Sequence, residues 1–272
     1  MIPAVSRRQN HLLAVRFWLF HAAALLALAV PLTPSALAWF AGSYLVRMFG
    51  VTAGYHRYFS HRSYKLGRVA QVALAVLAQS SGQKGVLWWA AHHRDHHRHS
   101  DTQADVHSPR EGFWWAHVGW FLSTSHDGYD AARVVDFGRY PELRWLDQFH
   151  WVPLLAFGGA AWLIGGTTAL AWGVLAATVA LYHATFAINS IAHIWGSRPF
   201  ATPDDSRNNL WLALLTLGEG WHNNHHHCRS SCRQGVEWWQ IDITYVVLRG
   251  LAAIGVVRDL RPFVVRAARV SA

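Results

Sequence analysis

The sequence predicts an all-α integral membrane protein, with four transmembrane helices beneath a cytoplasmic helical cap crowded with histidine. Three observations predict it. Of 272 residues only 14% are charged, where a soluble domain carries about 25%. Two long stretches, between Arg16 and Arg47 and between Asp147 and Arg198, contain no Asp, Glu, Lys or Arg. The chain also has 16 tryptophans and 19 histidines, residues that favour the membrane interface and metal ions respectively. An apolar content of 52% excludes disorder, and two cysteines exclude a disulfide scaffold. A net charge of +9 would suit nucleic acid if the cations clustered on a recognition fold. Here they are scattered and flank apolar runs, so no nucleic-acid partner is expected.

The spans follow from length. A helix needs about 20 residues to cross ~30 Å of hydrocarbon. The first charge-free stretch therefore predicts spans over 11–31 and 36–57, broken at Pro31-Leu32-Thr33-Pro34-Ser35. The second predicts spans over 150–165 and 168–192, broken at Gly165-Gly166-Thr167-Thr168. Of the connections, neither tip carries a cation, whereas the amino terminus (Arg7, Arg8), the segment 57–147 and the tail after 197 do. The excess of cations on cytoplasmic loops then places both termini and the central segment in the cytoplasm. Arg7-Arg8, an apolar run and Ala36-Leu37-Ala38 also resemble a cleaved signal, but the next apolar stretch continues without a polar mature start. Val69 to Gln79 is too short to cross and should dip into the interface or pack under the cap. The run around Ile241–Val257, interrupted by Arg249, reads as an interfacial amphipathic helix. No repeat or linker divides the chain, so residues 1–272 form one unit, with the cap made of 58–149 and 193–272.

The histidines gather just beyond the membrane ends. His56 and His61 leave the second span, and His92-His93-Arg94-Asp95-His96-His97 lies in the central segment, followed by His99 and His107. Asn189 and His193 leave the fourth span, and His222-Asn223-Asn224-His225-His226-His227 lies in the tail. His93, His96 and His97 share one helical face by i, i+3, i+4 spacing, as do His222, His225 and His226. Nine such imidazoles exceed the four ligands of one tetrahedral zinc and suit two metal ions. Imidazole accepts zinc, copper, iron or nickel, so the ligand type leaves the metal open.

At these residues the chain resembles the membrane fatty-acid desaturases, in particular the acyl-CoA Δ9 (stearoyl-CoA) branch without a fused cytochrome b5. The resemblance runs from Gly54-Tyr55-His56-Arg57, through Asn189-Ser190-Ile191-Ala192-His193, to Leu217-Gly218-Glu219-Gly220-Trp221-His222-Asn223-Asn224-His225-His226. It implies a cap holding a di-iron site above four spans, and cytoplasmic chemistry with dioxygen as co-substrate. The implied iron ligands are His56, His61, His93, His96, His97, His193, His222, His225 and His226, with Asn189 holding a water on one iron. His92, His99 and His227 fall outside the pattern, and His107 is expected in a structural or head-group role. The resemblance further implies that Gln83, Trp89 and Thr185 bend a tunnel for a long acyl chain. An aromatic-belt role for Trp89 and helix packing for Thr185 are the alternatives from the residues alone.

Clustered imidazoles around cations need carboxylates to orient their ring N–H groups, and Asp95, Asp101, Asp105 and Glu219 are the candidates. The reaction also consumes two external electrons. No Rossmann glycine pattern, cysteine set for an iron–sulfur cluster or haem domain supplies them. A separate ferredoxin, rubredoxin or cytochrome b5 with its reductase is therefore expected, and Arg57, Arg62, Lys65, Arg98 and Arg229 are either its attractors or membrane-surface anchors. Cys228 and Cys232 are expected as reduced thiols. Where animal acyl-CoA enzymes carry Arg-Asp before the second histidine box, this chain has Ala91-His92. That leaves coenzyme A, acyl carrier protein and intact membrane lipid open as the acyl carrier. The leading expectation is an oxygen-dependent acyl desaturase, with a di-iron hydroxylase as its nearest rival. A His-rich metal transporter is the remote one, since His21 and His183 are the only ionisable residues deep in the spans.

Overall fold

A computed structural model describes residues 8–265; Arg7 and the two chain ends lie outside the described residues. Helix α1 (His11–Ala24) starts where the Asn10 side chain accepts a hydrogen bond from Leu13 N, and continues as a 3-10 turn to Ala29. Helix α2 (Pro34–Phe49) starts at Thr33, whose hydroxyl accepts from Ala36 N, with Pro34 in its first turn. Proline fixes φ for a helix start and lacks the N–H that would go unused there. Helix α2 then widens into a π-helical segment, Gly50–Ser60, so the second apolar run reaches Ser60 rather than ending at 57.

Among the described residues, three helical runs are long and apolar enough to cross a membrane: His11–Ala29, Pro34–Ser60 and Val152–His193. The third contains α7 (Val152–Thr168), a π-helical stretch to Ala176, and α8 (Ala177–Ser190). It is not straight. Gly166 sits at φ 59, ψ −148, a conformation that side-chain-bearing residues avoid. The two halves pack on each other there: Ala161, Ala169 and Val174 form one cluster with Leu154, Phe157 and Trp39. The break falls where the expected hairpin tip lies, at Gly165-Gly166. Leu12, Trp18, Leu25 and Leu28 on the first run, and Trp162, Leu163 and Ile164 on the third, face outward. An apolar surface of that extent belongs against lipid rather than water.

Helix α3 (Arg68–Gln79) does not cross; it packs flat against the second run. Close approach is possible because Gly50 and Gly54 face it: a Cβ at Gly50 would meet Leu77 at 2.9 Å, and one at Gly54 would meet Ala78 at 3.1 Å. The remaining helices are α4 (Val86–His99), α5 (Val135–Gly138), α6 (Pro141–Gln148), α9 (Leu210–Leu215), α10 (His222–His227) and α11 (Ile243–Ala253), joined by 3-10 and π turns. There is one small departure from all-α structure: β1 (Lys65–Leu66) pairs antiparallel with β2 (Val257–Arg258). Helix α11 buries Thr244 and Leu248 and exposes Val246, Val247 and Ile254, the two-sided character expected of an interfacial helix.

Candidate metal centre

Four elements deliver the imidazoles. The π-helical end of the second run supplies His56 and the next turn His61; α4 supplies His93, His96 and His97; the 3-10 turn after α8 supplies His193; and α10 supplies His222, His225 and His226. They form two groups. His56, His61, His93, His97 and His225 bring one ring nitrogen each to a common point, and His96, His193, His222 and His226 bring theirs to a second. Helices α4 and α10 each divide their histidines between the groups. This is what i, i+3, i+4 spacing allows: neighbouring rings share a face but diverge by part of a turn.

The distances are short. Nε2 atoms lie 2.8 Å apart for His61–His93, 3.0 Å for His93–His97, 2.9 Å for His97–His225 and 3.1 Å for His56–His225. In the second group His193 and His222 face each other Nε2 to Nε2 at 3.0 Å. Four carboxylates stand behind: Glu219 at 2.5 Å from His56 Nδ1, Asp105 at 2.9 Å from His96, Asp101 at 2.8 Å from His193, and Asp204 at 2.8 Å from His226. Each carboxylate accepts the Nδ1 proton, which leaves Nε2 as a bare lone pair. Lone pairs facing one another at 3 Å repel unless a cation lies between them. Nitrogens about 2.1 Å from a shared metal and at right angles around it would sit about 3 Å apart. His226 Nε2, the ring nitrogen turned away from Asp204, is also buried without a hydrogen-bond partner. The residues present fit two metal ions.

Protonation states agree with ligation. Burial, reinforced by neighbouring imidazoles, holds His61, His93, His97, His222 and His225 well below the usual histidine range. They are therefore neutral near pH 7, the form that binds metal. Burial alone would raise Asp101 and Glu219, but His193 beside the first, and Arg57 and His56 beside the second, outweigh it and bring each to about 2. Both stay charged opposite the rings they orient.

Gln83, Trp89, Thr185 and Asn189 lie together on the wall of one cavity of about 240 Å³, which His93 and His107 also line. Phe17, Phe20, Trp120, Phe121 and Phe186 make much of the lining apolar, and Arg16, Lys84 and His92 also stand on the wall. The cavity thus reaches the five-histidine group through His93. It reaches the neighbourhood of the other through His107, which stacks on His96 at 4.2 Å. Gln83 Nε2 donates to Thr185 Oγ1 at 3.1 Å, and Trp89 stacks on His93 at 4.9 Å. His227 lies away from both groups, stacked on Phe200 at 4.2 Å. His92 is buried, with Nδ1 donating to the Trp88 carbonyl.

Three expectations change. Asp95 does not support an imidazole; it pairs with Arg133 at 2.5 Å. Its place is taken by Asp204, which sequence spacing did not reveal because it lies on an irregular loop 22 residues before its partner. Arg57 does not face a carrier: it is fully buried, held between Glu219 and Asp242. Ala91 is also buried, at 1% exposure, so that position faces the core and not a head group. Cys228 and Cys232 are free buried thiols, and burial pushes Cys232 up to about 12.

Imidazoles gathered so that they could hold metal, beside an apolar cavity in a frame of long apolar helices, define the class: a helical protein of membrane type with a candidate metal centre. Comparison with known proteins gives the family. The fatty acid desaturase family model matches residues 34–258. A chloroplastic lipid desaturase of Arabidopsis thaliana, named as probable, is 39% identical over 87% of this chain and 67% of its own. Delta-9 acyl-lipid desaturase 1 of the same plant is 38% identical over 80% of this chain and 72% of its own. The sn-1 stearoyl-lipid 9-desaturase of Anabaena variabilis is 36% identical over 78% of each. The chain thus spans about two thirds to three quarters of the length of these relatives. It belongs to the fatty acid desaturase family, in its Δ9 branch, and is a fatty acyl desaturase, an oxidoreductase of lipid metabolism.

Proposed function

We propose that this protein inserts a cis double bond at Δ9 into a saturated long-chain acyl thioester or lipid, from a membrane position with four spans and with both termini and the cap in the cytoplasm. The observation that carries the reading is the apolar cavity lined by Gln83, Trp89 and Thr185, which reaches the five-histidine group through His93 and approaches the other through His107 stacked on His96. An unactivated methylene offers no acidic proton, so side-chain acids and bases cannot abstract its hydrogen. Two iron ions bound by the two groups would supply that oxidising chemistry with dioxygen. The His residues named above would hold them, with Asn189 holding a water on one of them.

The protein's own part is positional. Glu219, Asp105, Asp101 and Asp204 fix the ring tautomers, so that four of the nine imidazoles present a lone pair without a conformational search. The aromatic lining excludes water from the cavity and provides an apolar track for the chain. Two electrons come from a separate carrier (a ferredoxin, a rubredoxin, or cytochrome b5 with its reductase). Arg62, Lys65, Arg98 and Arg229 remain on the surface to attract it. The break at Gly166, with its cation-free tip, supports division of the third run into two spans.

The experiment is expression in a host that makes only saturated chains, followed by location of any new double bond by mass spectrometry. A Δ9 alkene is the expected product. An alcohol at the same carbon would favour the hydroxylase, and an unchanged lipid profile with a competent electron donor would refute both.

A further inference from the structure

The turn between α3 and α4 is held from three sides through its backbone carbonyls. Tyr182 donates to Gly82 O at 2.9 Å, Tyr55 to Lys84 O at 2.6 Å, and Arg47 to Ser80 O at 3.4 Å. The turn also has little freedom of its own, since Gly82 and Lys84 sit at φ +75 and +64. A Cβ on Gly82 would fall 2.4 Å from the Tyr182 hydroxyl, so the glycine is what lets the tyrosine reach. Between the two held carbonyls lies Gln83, whose side chain lines the cavity and donates across its wall to Thr185, a contact we take as the constriction of the acyl track. Thr185 gives its own proton to Leu181 O, which leaves its oxygen free to accept from Gln83.

Both sides of this arrangement lead to fixed structure. Tyr182 and Thr185 are three residues apart on α8 and share a face, so one helix grips the backbone of the turn and the tip of Gln83 together. Tyr55 immediately precedes His56 and stacks on Trp89 at 5.3 Å and 15°; Trp89 in turn stacks on His93. The five-histidine group and the Gln83–Thr185 contact are therefore joined through packed side chains. A tyrosine hydroxyl on a buried carbonyl is suited to this, because leaving that carbonyl unmet would be costly.

We propose that Tyr55 and Tyr182 are positioning residues that set which carbon of the acyl chain is oxidised, by fixing the distance from the metal groups to the Gln83–Thr185 constriction. The inference rests on the desaturase reading above, and on the bend in the chain at that constriction. Misplacement by about 1 Å is enough to alter which bond meets a reactive centre. Loosening the turn should therefore change the position of the double bond before it abolishes the reaction.

The test compares wild type with Tyr55→Phe and Tyr182→Phe, as full-length protein in the saturated-chain host, by mass-spectrometric mapping of double-bond position. Wild type should give one dominant isomer. Each variant should raise the neighbouring isomers about five- to tenfold relative to it, the scale of one lost buried hydrogen bond. Tyr44→Phe is the control, since Tyr44 makes the same kind of bond at 2.8 Å to Leu215 O, away from the turn; its isomer ratio should stay at the wild-type value. Gly82→Ala, which forces the Tyr182 hydroxyl off the turn, provides a second route should either tyrosine variant fail to accumulate. Unmoved isomer ratios in variants that elute like wild type from a sizing column would overturn the proposal, as would an equal shift in Tyr44→Phe. Absence of any alkene from wild type would instead overturn the functional reading itself, a result separate from these.

Discussion

Asp204 Oδ2 lies 2.8 Å from His226 Nδ1, while the other ring nitrogen of His226 is buried and meets no hydrogen-bond partner. Burial would raise the Asp204 carboxyl, but the His226 hydrogen bond and charge, with Ser206, hold it far below the usual carboxylate range. The carboxylate therefore stays charged and keeps the ring proton on Nδ1, leaving Nε2 for a cation. Asp204→Asn preserves the shape but can present an N–H to the ring and stabilise the wrong tautomer. Removing such a partner typically costs ten- to a hundredfold in metal affinity. The expected outcome is loss of about one of two metal ions during dialysis against a weak chelator, measured by elemental analysis. Full retention of both ions would show that Asp204 does not tune this group.

His97→Ala and His227→Ala should separate sharply, although both residues sit in histidine-rich blocks. His97 lies 3.0 and 2.9 Å from the ring nitrogens of His93 and His225, whereas His227 stacks on Phe200 outside both groups. Activity should be abolished for the first, because the chemistry depends on a metal held by a complete ligand set. It should change by less than about threefold for the second. Metal content per protein is the companion measurement, and equal losses in the two variants would contradict the ligand assignment.

The sequence and the structure agree most where the physics is local. Charge-free length announces helical runs, Pro34 and Gly166 announce their breaks, and i, i+3, i+4 spacing announces that α4 and α10 each present a face of imidazoles. None of this gives the division of those faces between two groups, which depends on the crossing of α4 over α10. Asp204 was illegible for the same reason: its partnership with His226 is made by a loop returning on itself, with no periodicity to betray it. Asp95, adjacent to His96 in sequence, looked better placed, yet consecutive helical residues point about 100° apart, and it turns to Arg133 instead. Arg57 was misread because its burial is set by Glu219 and Asp242, residues more than 160 positions away.

Topology can be read by cysteine labelling, because Cys228 and Cys232 are buried and give little background. Ser35, Thr167 and Gln103 are exposed. Ser35→Cys and Thr167→Cys lie at the two cation-free tips, and Gln103→Cys lies in the cap beside the imidazoles. In intact cells an impermeant maleimide should label the first two and spare the third until the membrane is opened. Labelling of Gln103→Cys from outside would invert the orientation and remove the cytoplasmic electron donor from the scheme.

Acid sensitivity should precede any titration of carboxylates. Burial pushes His92, His117 and His126 each down to about 4, against about 6.5 in an unfolded chain. Their folded values are depressed, so above pH 6.5 all three are neutral in both states and their contribution to stability is constant. Between pH 6.5 and 4 the unfolded chain takes up protons that the folded chain refuses. Stability then falls by up to about 1.4 kcal/mol per pH unit for each residue. Thermal unfolding in detergent should show a plateau above pH 7 and a decline below pH 6.5. His126→Phe, which removes a ring whose Nε2 has no partner, should reduce the slope by about one proton. An unchanged slope would mean that His126 titrates alike in both states.

Ala91 and His92 occupy the positions where animal acyl-CoA enzymes carry arginine and aspartate, so Ala91→Arg with His92→Asp would be the natural attempt to install a grip on coenzyme A. The structure argues against success. Ala91 is 1% exposed within the main core cluster, alongside Leu87 and Ala90, and overfilling such a site costs about 1–3 kcal/mol before any charge is buried. An unpaired guanidinium there adds a desolvation cost of several kcal/mol. At position 92, aspartate would replace a ring that donates to the Trp88 carbonyl at 2.9 Å with a carboxylate that can only face that oxygen as a second acceptor. The double variant should therefore show a lower melting temperature and reduced yield, with no gain in apparent affinity for stearoyl-CoA. Ala91→Ser, which adds one small polar atom, should lie between it and wild type in stability. A well-folded double variant that binds stearoyl-CoA several-fold more tightly would show that α4 can turn these positions outward, and would return them to the head-group site.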